Sequence, residues 1–408
     1  MVATFKNIKK IDNGTIVSPK GFSVDGLHSG VKRKRKDLGI IVSDIQASAA
    51  AVYTMNLVQA APIKITKEAL KKSPKIKGVI VNSGNANACT GDQGERDAYD
   101  MQAVTAKKLG VQDSEVAVAS TGVIGLDMPM DKIIPNIDEL TPDRSSEAAA
   151  KFNESILTTD TIQKSTCYEA TIDGEKVLMG GSAKGSGMIE PNMATMLAFV
   201  TTDANIASDV LEGALKEVTD KTFNCITVDG DTSTNDIALV MANGLAGNEP
   251  LTPTHKDWHV FMELLRKTCE DLAKMIAQDG EGATKLIEVE VKGSPTETEA
   301  IKVAKSIVGS SLVKTAVFGT DANWGRIIAA IGYSGVAVNI ETVDLYLGHI
   351  ELLNKSKPTD FSEEEATEYL QNDTVKIVVD LNIGEKKGTA WGCDLTYDYV
   401  RINASYRS

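Results

Sequence analysis

The segment Lys184-Gly-Ser-Gly-Met-Ile-Glu-Pro-Asn-Met-Ala-Thr-Met-Leu-Ala-Phe-Val-Thr-Thr-Asp203 holds the residues best arranged for chemistry. A glycine-rich run leads to the small Ala194 and then to the hydroxyl of Thr195. The apolar run Met196 to Val200 follows at once and predicts a strand. A threonine held there, with a loop in front of it, suits backbone self-cleavage. Its hydroxyl attacks the Ala194 carbonyl, an ester forms, and hydrolysis leaves Thr195 as a new N-terminus. The freed α-amine has a reference pKa near ~8, low enough to act as base for the neighbouring hydroxyl. On spacing alone, a threonine that merely begins a half-buried strand behind an ordinary glycine turn is the better reading.

Acyl transfer also needs donors for the developing oxyanion and groups that hold the substrates. Thr121 and Gly122 close a predicted strand, where a hydroxyl and a glycine N–H point either into a cleft or into a plain turn. Lys184 suits a carboxylate, and Glu281 suits an ammonium group or accepts a proton. Both lie in glycine-flanked loops, although solvated surface charge is the usual fate of such residues. The acidic stretch Asp229-Gly-Asp-Thr-Ser-Thr-Asn-Asp236 lacks EF-hand spacing and reads as a polar turn, with Asn235 organising backbone. His255 and His259 stand four apart, as on one helix face, without a third ligand nearby, so no metal site is expected. The basic run Lys32-Arg-Lys-Arg-Lys36 has no interleaved aromatics and reads as a solvated loop. No phosphate loop or dinucleotide fingerprint is present.

The elements that must position these groups alternate short apolar strands with helical patterns, which implies α/β layers. Strands are predicted at Leu38 to Ser43, Lys77 to Asn82, Glu115 to Ala119, Ile237 to Ala242, Leu286 to Val291, Val375 to Leu381 and Thr389 to Tyr399. A helix is predicted over Trp258 to Gln278, with Trp258, Phe261, Leu265, Leu272 and Ile276 on one face and Gly280 as its stop. A second covers Arg96 to Leu109, with Ala103 and Val104 inward and Gly110 as its stop.

A chain of 408 residues is long enough for two or three cores. Its net charge of -13 argues against general nucleic-acid binding. Cys89, Cys167, Cys225, Cys269 and Cys393 are scattered and odd in number, as reduced thiols of a cytoplasmic protein are. Residues 1–10 lack the apolar core of a secretory signal, and no apolar run approaches the ~20 residues of a membrane span. The expectation is a cytoplasmic protein with no membrane or nucleic-acid partner.

The wording of several segments resembles the bifunctional glutamate N-acetyltransferase/ornithine acetyltransferase family of arginine biosynthesis. Lys184 to Leu197 carries the signature. Val81 to Gly91, Ser120 to Gly125, Ile156 to Thr161, Asp279 to Lys285, Asp321 to Arg326 and the tail Val400 to Ser408 match too. The resemblance implies a mixed α/β fold of layered sheets flanked by helices, shared with related aminopeptidases that use N-terminal-nucleophile chemistry. It implies cleavage between Ala194 and Thr195 into an α-chain, 1–194, and a β-chain, 195–408, that stay together as an α2β2 assembly. It implies transfer of acetyl from N2-acetyl-L-ornithine to L-glutamate through acetyl-Thr195, without a cofactor. Members differ in whether acetyl-CoA also serves as donor. The resemblance assigns the oxyanion hole to Thr121 and Gly122. It places substrate contacts at Thr158, Lys184, Thr195, Glu281, Asn403 and the last residue, Ser408. Two departures stand out. Ser408 replaces a common threonine, and Ala322 replaces a common proline. A self-processed amidohydrolase or aminopeptidase, with water as acceptor, is the alternative. A binding protein that uses Lys32 to Lys36 against an anionic partner ranks below both.

Overall fold

The computed structural model describes residues 8–190 and 196–405. In chain order the strands are β1 (Ile8–Lys10), β2 (Phe22–Leu27), β3 (Leu38–Tyr53), β4 (Lys75–Asn85), β5 (Val116–Val123), β6 (Lys164–Ile172), β7 (Glu175–Lys184), β8 (Leu197–Thr202), β9 (Ile226–Thr227), β10 (Ile237–Ala242), β11 (Leu286–Ser294), β12 (Asp344–Leu347), β13 (Ile350–Asn354), β14 (Lys357–Pro358), β15 (Thr374–Asp380) and β16 (Lys386–Cys393). The helices are α1 (Ala61–Lys72), α2 (Gly91–Leu109), α3 (Met130–Glu139), α4 (Ser146–Ile156), α5 (Ser208–Lys221), α6 (Trp258–Gln278), α7 (Glu297–Val308), α8 (Ser311–Phe318), α9 (Trp324–Gly332), α10 (Glu363–Tyr369) and α11 (Tyr397–Ala404). The architecture is mixed α/β, with sheets covered by helices.

The chain forms two compact units, one from Met1–Gly185, Asn192–Phe223 and Thr232–Leu272, the other from Ser186–Pro191, Asn224–Asp231 and Ala273–Ser408. The first unit holds a nine-stranded sheet in the order β1-β6-β7-β8-β10-β3-β4-β5, with β2 also on β3. Alternation along its strands divides the core. Ile41, Val79, Val81, Ala117 and Ala119 join Phe152 and Ile156 of α4 in one cluster. Their neighbours Ile40, Ile80, Val116 and Val118 join Ile65, Met101, Ile133 and Ile137 from α1, α2 and α3 in another. A period of two buries both faces of the sheet, as a layered fold requires. The second unit holds a seven-stranded sheet, β14-β13-β12-β15-β11-β16-β9. On it α7 buries Ala300, Val303, Ala304 and Ile307. Gly392 lies under that helix, where an added Cβ would stand 3.1 Å from the Cβ of Val308.

The order of the first sheet bears on cleavage. β8 and β10 come from residues after Ala194, yet they lie between β7 and β3, which come from residues before it. β8 pairs antiparallel with β7 and parallel with β10. The two halves of the chain therefore share one hydrogen-bonded sheet.

Several predicted bounds move. β3 runs on to Tyr53, and α2 starts at Gly91 with Ala98, Met101, Thr105 and Ala106 inward, whereas Ala103 and Val104 are only partly buried. Gly110 ends that helix in the left-handed region, at φ 67. α6 keeps its predicted bounds. It starts at Trp258, so His255 precedes it and the two histidines do not share a helix face. The strand predicted through Tyr399 stops at Cys393. There the Thr396 hydroxyl accepts from Asp398 N at 3.1 Å and donates to Gly282 O at 2.7 Å, capping α11. Tyr397 and Tyr399 are thus helical, and Asn403 stands on a helix.

Candidate active site

In the first unit the end of β5 lies in register with β4, Ser83 opposite Thr121 and Gly84 opposite Gly122. Thr121 is buried. Gly122 has φ 134, and a Cβ there would stand 2.3 Å from the carbonyl carbon of Gly84, so only glycine fits. The backbone beside it is pinned from the turn before β10, where the Asn235 amide donates to Ser120 O at 2.9 Å and to Ala86 O. Asn235 organises backbone as the sequence suggests.

Lys184, the last residue of β7, pairs with Leu197 at the start of β8. On the other edge of β8, Leu197 pairs with Ile237. Lys184 is buried, and its ammonium lies 3.4 Å from the Thr158 hydroxyl. Asp160 organises this corner. Its carboxylate accepts from Lys164 Nζ at 2.7 Å, from Gly185 N at 2.7 Å and from Thr158 N at 2.9 Å. Burial alone would push this carboxyl up. The Lys164 and Lys184 charges, with bonds from Lys164 and Gly185, outweigh burial and hold it at about 2.

The basic run is a loop exposed at Arg33, Lys34 and Arg35, as its sequence suggests, but it is anchored at its sides. Lys32 Nζ donates to Leu157 O at 2.9 Å, and Arg35 donates to Asp160 O at 2.9 Å. Asp37, fully buried, turns this run by accepting from the Ser29, Gly30 and Lys32 N–H groups. Burial lowers Lys32 to about 8 against the pull of Asp37, with Arg35 lowering it further and Glu154 and Asp160 opposing. The stem of Lys32 lies on Gly84, where an added Cβ would stand 2.8 Å from its Cγ. The run therefore clamps the Leu157–Asp160 loop. Periodicity could not show this, because the acceptors lie more than a hundred residues away.

In the second unit, Asn403 donates to the Glu281 carboxylate at 2.7 Å, and Glu281 N donates to Ser186 O at 2.9 Å. Gly187 lies against that carboxylate, since an added Cβ would stand 2.4 Å from the Glu281 Cδ. Asp229 accepts from Met188 N at 2.7 Å and Ile189 N at 2.8 Å, which fixes the stretch leading toward residue 190. The structure thus joins Thr158 with Lys184, and separately Glu281 with Asn403. Ala194, Thr195 and Ser408 lie outside the described residues. Asp160, Asp229 and Asp236 were not singled out from the sequence. Asp160 sits within a quoted segment, and the other two bracket the stretch read as a polar turn. Among the described residues no group of three metal-ligating side chains converges.

The family model described as the ArgJ family matches residues 23–408. The "Arginine biosynthesis bifunctional protein ArgJ" of Geobacillus kaustophilus is 61% identical over 401 residues, covering 98% of each chain. The protein so named from Halalkalibacterium halodurans is 61% identical over 403 residues, again 98% of each. A crystal structure of the arginine biosynthesis bifunctional protein from Bacillus halodurans matches with a TM-score of 0.51 and 67% identity, over 52% of this chain and 100% of that one. The fold and these matches define an enzyme of the acyltransferase class. The chain belongs to the ArgJ family, the family its sequence resembles.

Proposed function

We propose that this enzyme cuts itself between Ala194 and Thr195 and then transfers acetyl from N2-acetyl-L-ornithine to L-glutamate by way of acetyl-Thr195. The register of Leu197 carries the reading. Lys184 flanks it on one side, and on the other stands Ile237, whose neighbour Asn235 holds the Ser120 carbonyl beside Thr121. The residue two before Leu197 is Thr195. The buried Lys184 beside Leu197, and the bond from Asn235 to the backbone before Thr121, support this reading.

In the first half-reaction Thr195 Oγ adds to the acetyl carbonyl while its proton passes to the α-amine. The Thr121 hydroxyl and Gly122 N–H hold the oxyanion. The C–N bond then breaks, and ornithine leaves with the proton. In the second half-reaction the glutamate amine attacks the acetyl ester and restores the hydroxyl. Lys184 pairs with the substrate α-carboxylate beside Thr158, while Glu281, held by Asn403, receives the δ-ammonium of ornithine. Ser408 supplies a further contact. Acetyl-CoA is a second donor to be tested, and no other cofactor is required.

Interleaving of β8 and β10 with β7 and β3 supports a cut that leaves the halves together, in keeping with α- and β-chains of an α2β2 assembly. The solved relative supports a cut near the midpoint, since its whole chain matches only 52% of this one. None of the helices of the described residues is long and apolar enough to cross a membrane. Incubation with N-acetylornithine, with and without glutamate, tests the transfer. Acetylglutamate should form only with both. Acetate release without glutamate, and no acetylglutamate with it, would instead mark a hydrolase.

A further inference from the structure

Asp236 has no task in the reaction above. It is 3% exposed, and its Oδ2 has no hydrogen-bond partner. Leaving a buried carboxylate oxygen bare costs several kcal/mol, and native proteins keep few such atoms. Burial pushes this carboxyl well above the ordinary range, opposed by the Lys184 charge and a bond from Ser233. Burial thus favours the acid form of this carboxyl over the charged one.

Its position is set by the strand beside it. Ile237 N donates to Met196 O at 2.9 Å, and Ile237 lies opposite Leu197. Asp236 thus stands at the strand end next to Met196, the residue covalently joined to Thr195. Its own backbone is held from the residue after β3, where Thr54 N donates to Asp236 O at 3.0 Å. A buried acid with one uncommitted oxygen is fixed where the chain begins its proposed nucleophile.

We propose that Asp236 is the acid of the self-cleavage step and gives its proton to the Thr195 nitrogen as the Ala194–Thr195 bond breaks. The proposal rests on the reading of Thr195 as the cleavage nucleophile. Thr195 Oγ forms a bond to the Ala194 carbonyl carbon, and that carbonyl's electron pair moves to its oxygen. When the intermediate collapses, the C–N bond breaks and the nitrogen takes the Asp236 proton. In the attack the hydroxyl proton of Thr195 passes to the new oxyanion, and when the carbonyl re-forms it moves from that oxygen to Asp236, restoring the acid form. Water then hydrolyses the ester, leaving the Ala194 carboxyl and the Thr195 hydroxyl.

The test follows processing of the full chain by denaturing mass spectrometry in wild type, Thr195→Ala, Asp236→Asn and Asp236→Ala, with thermal unfolding of each. General acid catalysis is worth roughly a hundredfold or more. Asp236→Asn should therefore persist as an uncut chain that unfolds cooperatively, like Thr195→Ala. Formate added to Asp236→Ala should restore the cut in proportion to its concentration. A wild-type time course of cutting in Asp236→Asn, or unaided cutting at that rate in Asp236→Ala, would overturn the proposal. If wild type itself were uncut in its active form, the reading of Thr195 would fail first, and the two failures are thereby distinguished.

Discussion

Lys164 and Asp160 meet at 2.7 Å with both side chains completely buried. The pair holds the loop that presents Thr158 and, through Gly185 N, the end of β7 that presents Lys184. Removing one member of such a pair strands the other charge in a poorly solvated interior. Asp160→Asn should destabilise the protein by about 3–5 kcal/mol in urea unfolding. It should also raise KM for N-acetylornithine more than it lowers kcat, because it loosens Thr158 and Lys184, the residues proposed to hold substrate. The pH dependence has a definite sign. The folded carboxyl sits at about 2, below its ordinary 3.8, so its stabilisation is complete above the ordinary value and is lost as pH falls through about 2.

Lys32 behaves in the opposite sense. Its folded value, about 8, lies below the ordinary 10.5. Between those values the unfolded chain keeps a proton that the folded chain has released, so stability from this group rises as pH rises through the window. Lys32→Met keeps the stem over Gly84 and should flatten that rise. Unfolding midpoints measured on either side of the window, in wild type and variant, check it.

Gly122→Ala tests the end of β5 without removing any polar side chain. The new methyl meets Gly84 backbone at 2.3 Å and the residue must hold φ 134, so the strands have to part. A loss of roughly 3 kcal/mol is expected from strain and overpacking together. Residual folded enzyme should show a fall in kcat, because the N–H assigned to the oxyanion moves.

Glu281→Gln should distinguish the two half-reactions. Only ornithine brings a δ-ammonium, and a charge-assisted hydrogen bond contributes about 1.5–3 kcal/mol. Acetyl transfer from N-acetylornithine should therefore slow by about tenfold or more in kcat/KM. Attack by glutamate on the preformed acetyl-enzyme should change less. Stopped-flow or quenched single-turnover assays resolve the two steps.

Much of this arrangement was legible in the sequence because it is local. Ile237 to Ala242 and Trp258 to Gln278 declare their period within a few turns, and the structure keeps those bounds. Glu281 and Asn403 were named from matching segments, and the second unit bonds them to each other. The misreadings have nonlocal causes. Thr396 ends a strand because Gly282 O accepts its hydroxyl, and that acceptor lies more than a hundred residues away in the chain. The run Lys32 to Lys36 is exposed at Arg33 to Arg35 as read, but its anchoring was not legible because the acceptors, Leu157 O and Asp160 O, belong to a distant loop. Asp160 and Asp236 differ only in what surrounds them. One is buried among lysines that hold its carboxyl down at about 2, and the other is buried with a bare oxygen in surroundings that push its carboxyl up. Residue type carries none of that.

Denaturing mass spectrometry of purified, active protein briefly exposed to N-acetylornithine tests the central claim most directly. The account predicts two polypeptides, 1–194 and 195–408, with one acetyl group on the Thr195 side chain of the second, and neither feature in Thr195→Ala. A single uncut chain that turns over at full rate, with no acetyl adduct at residue 195, would contradict it.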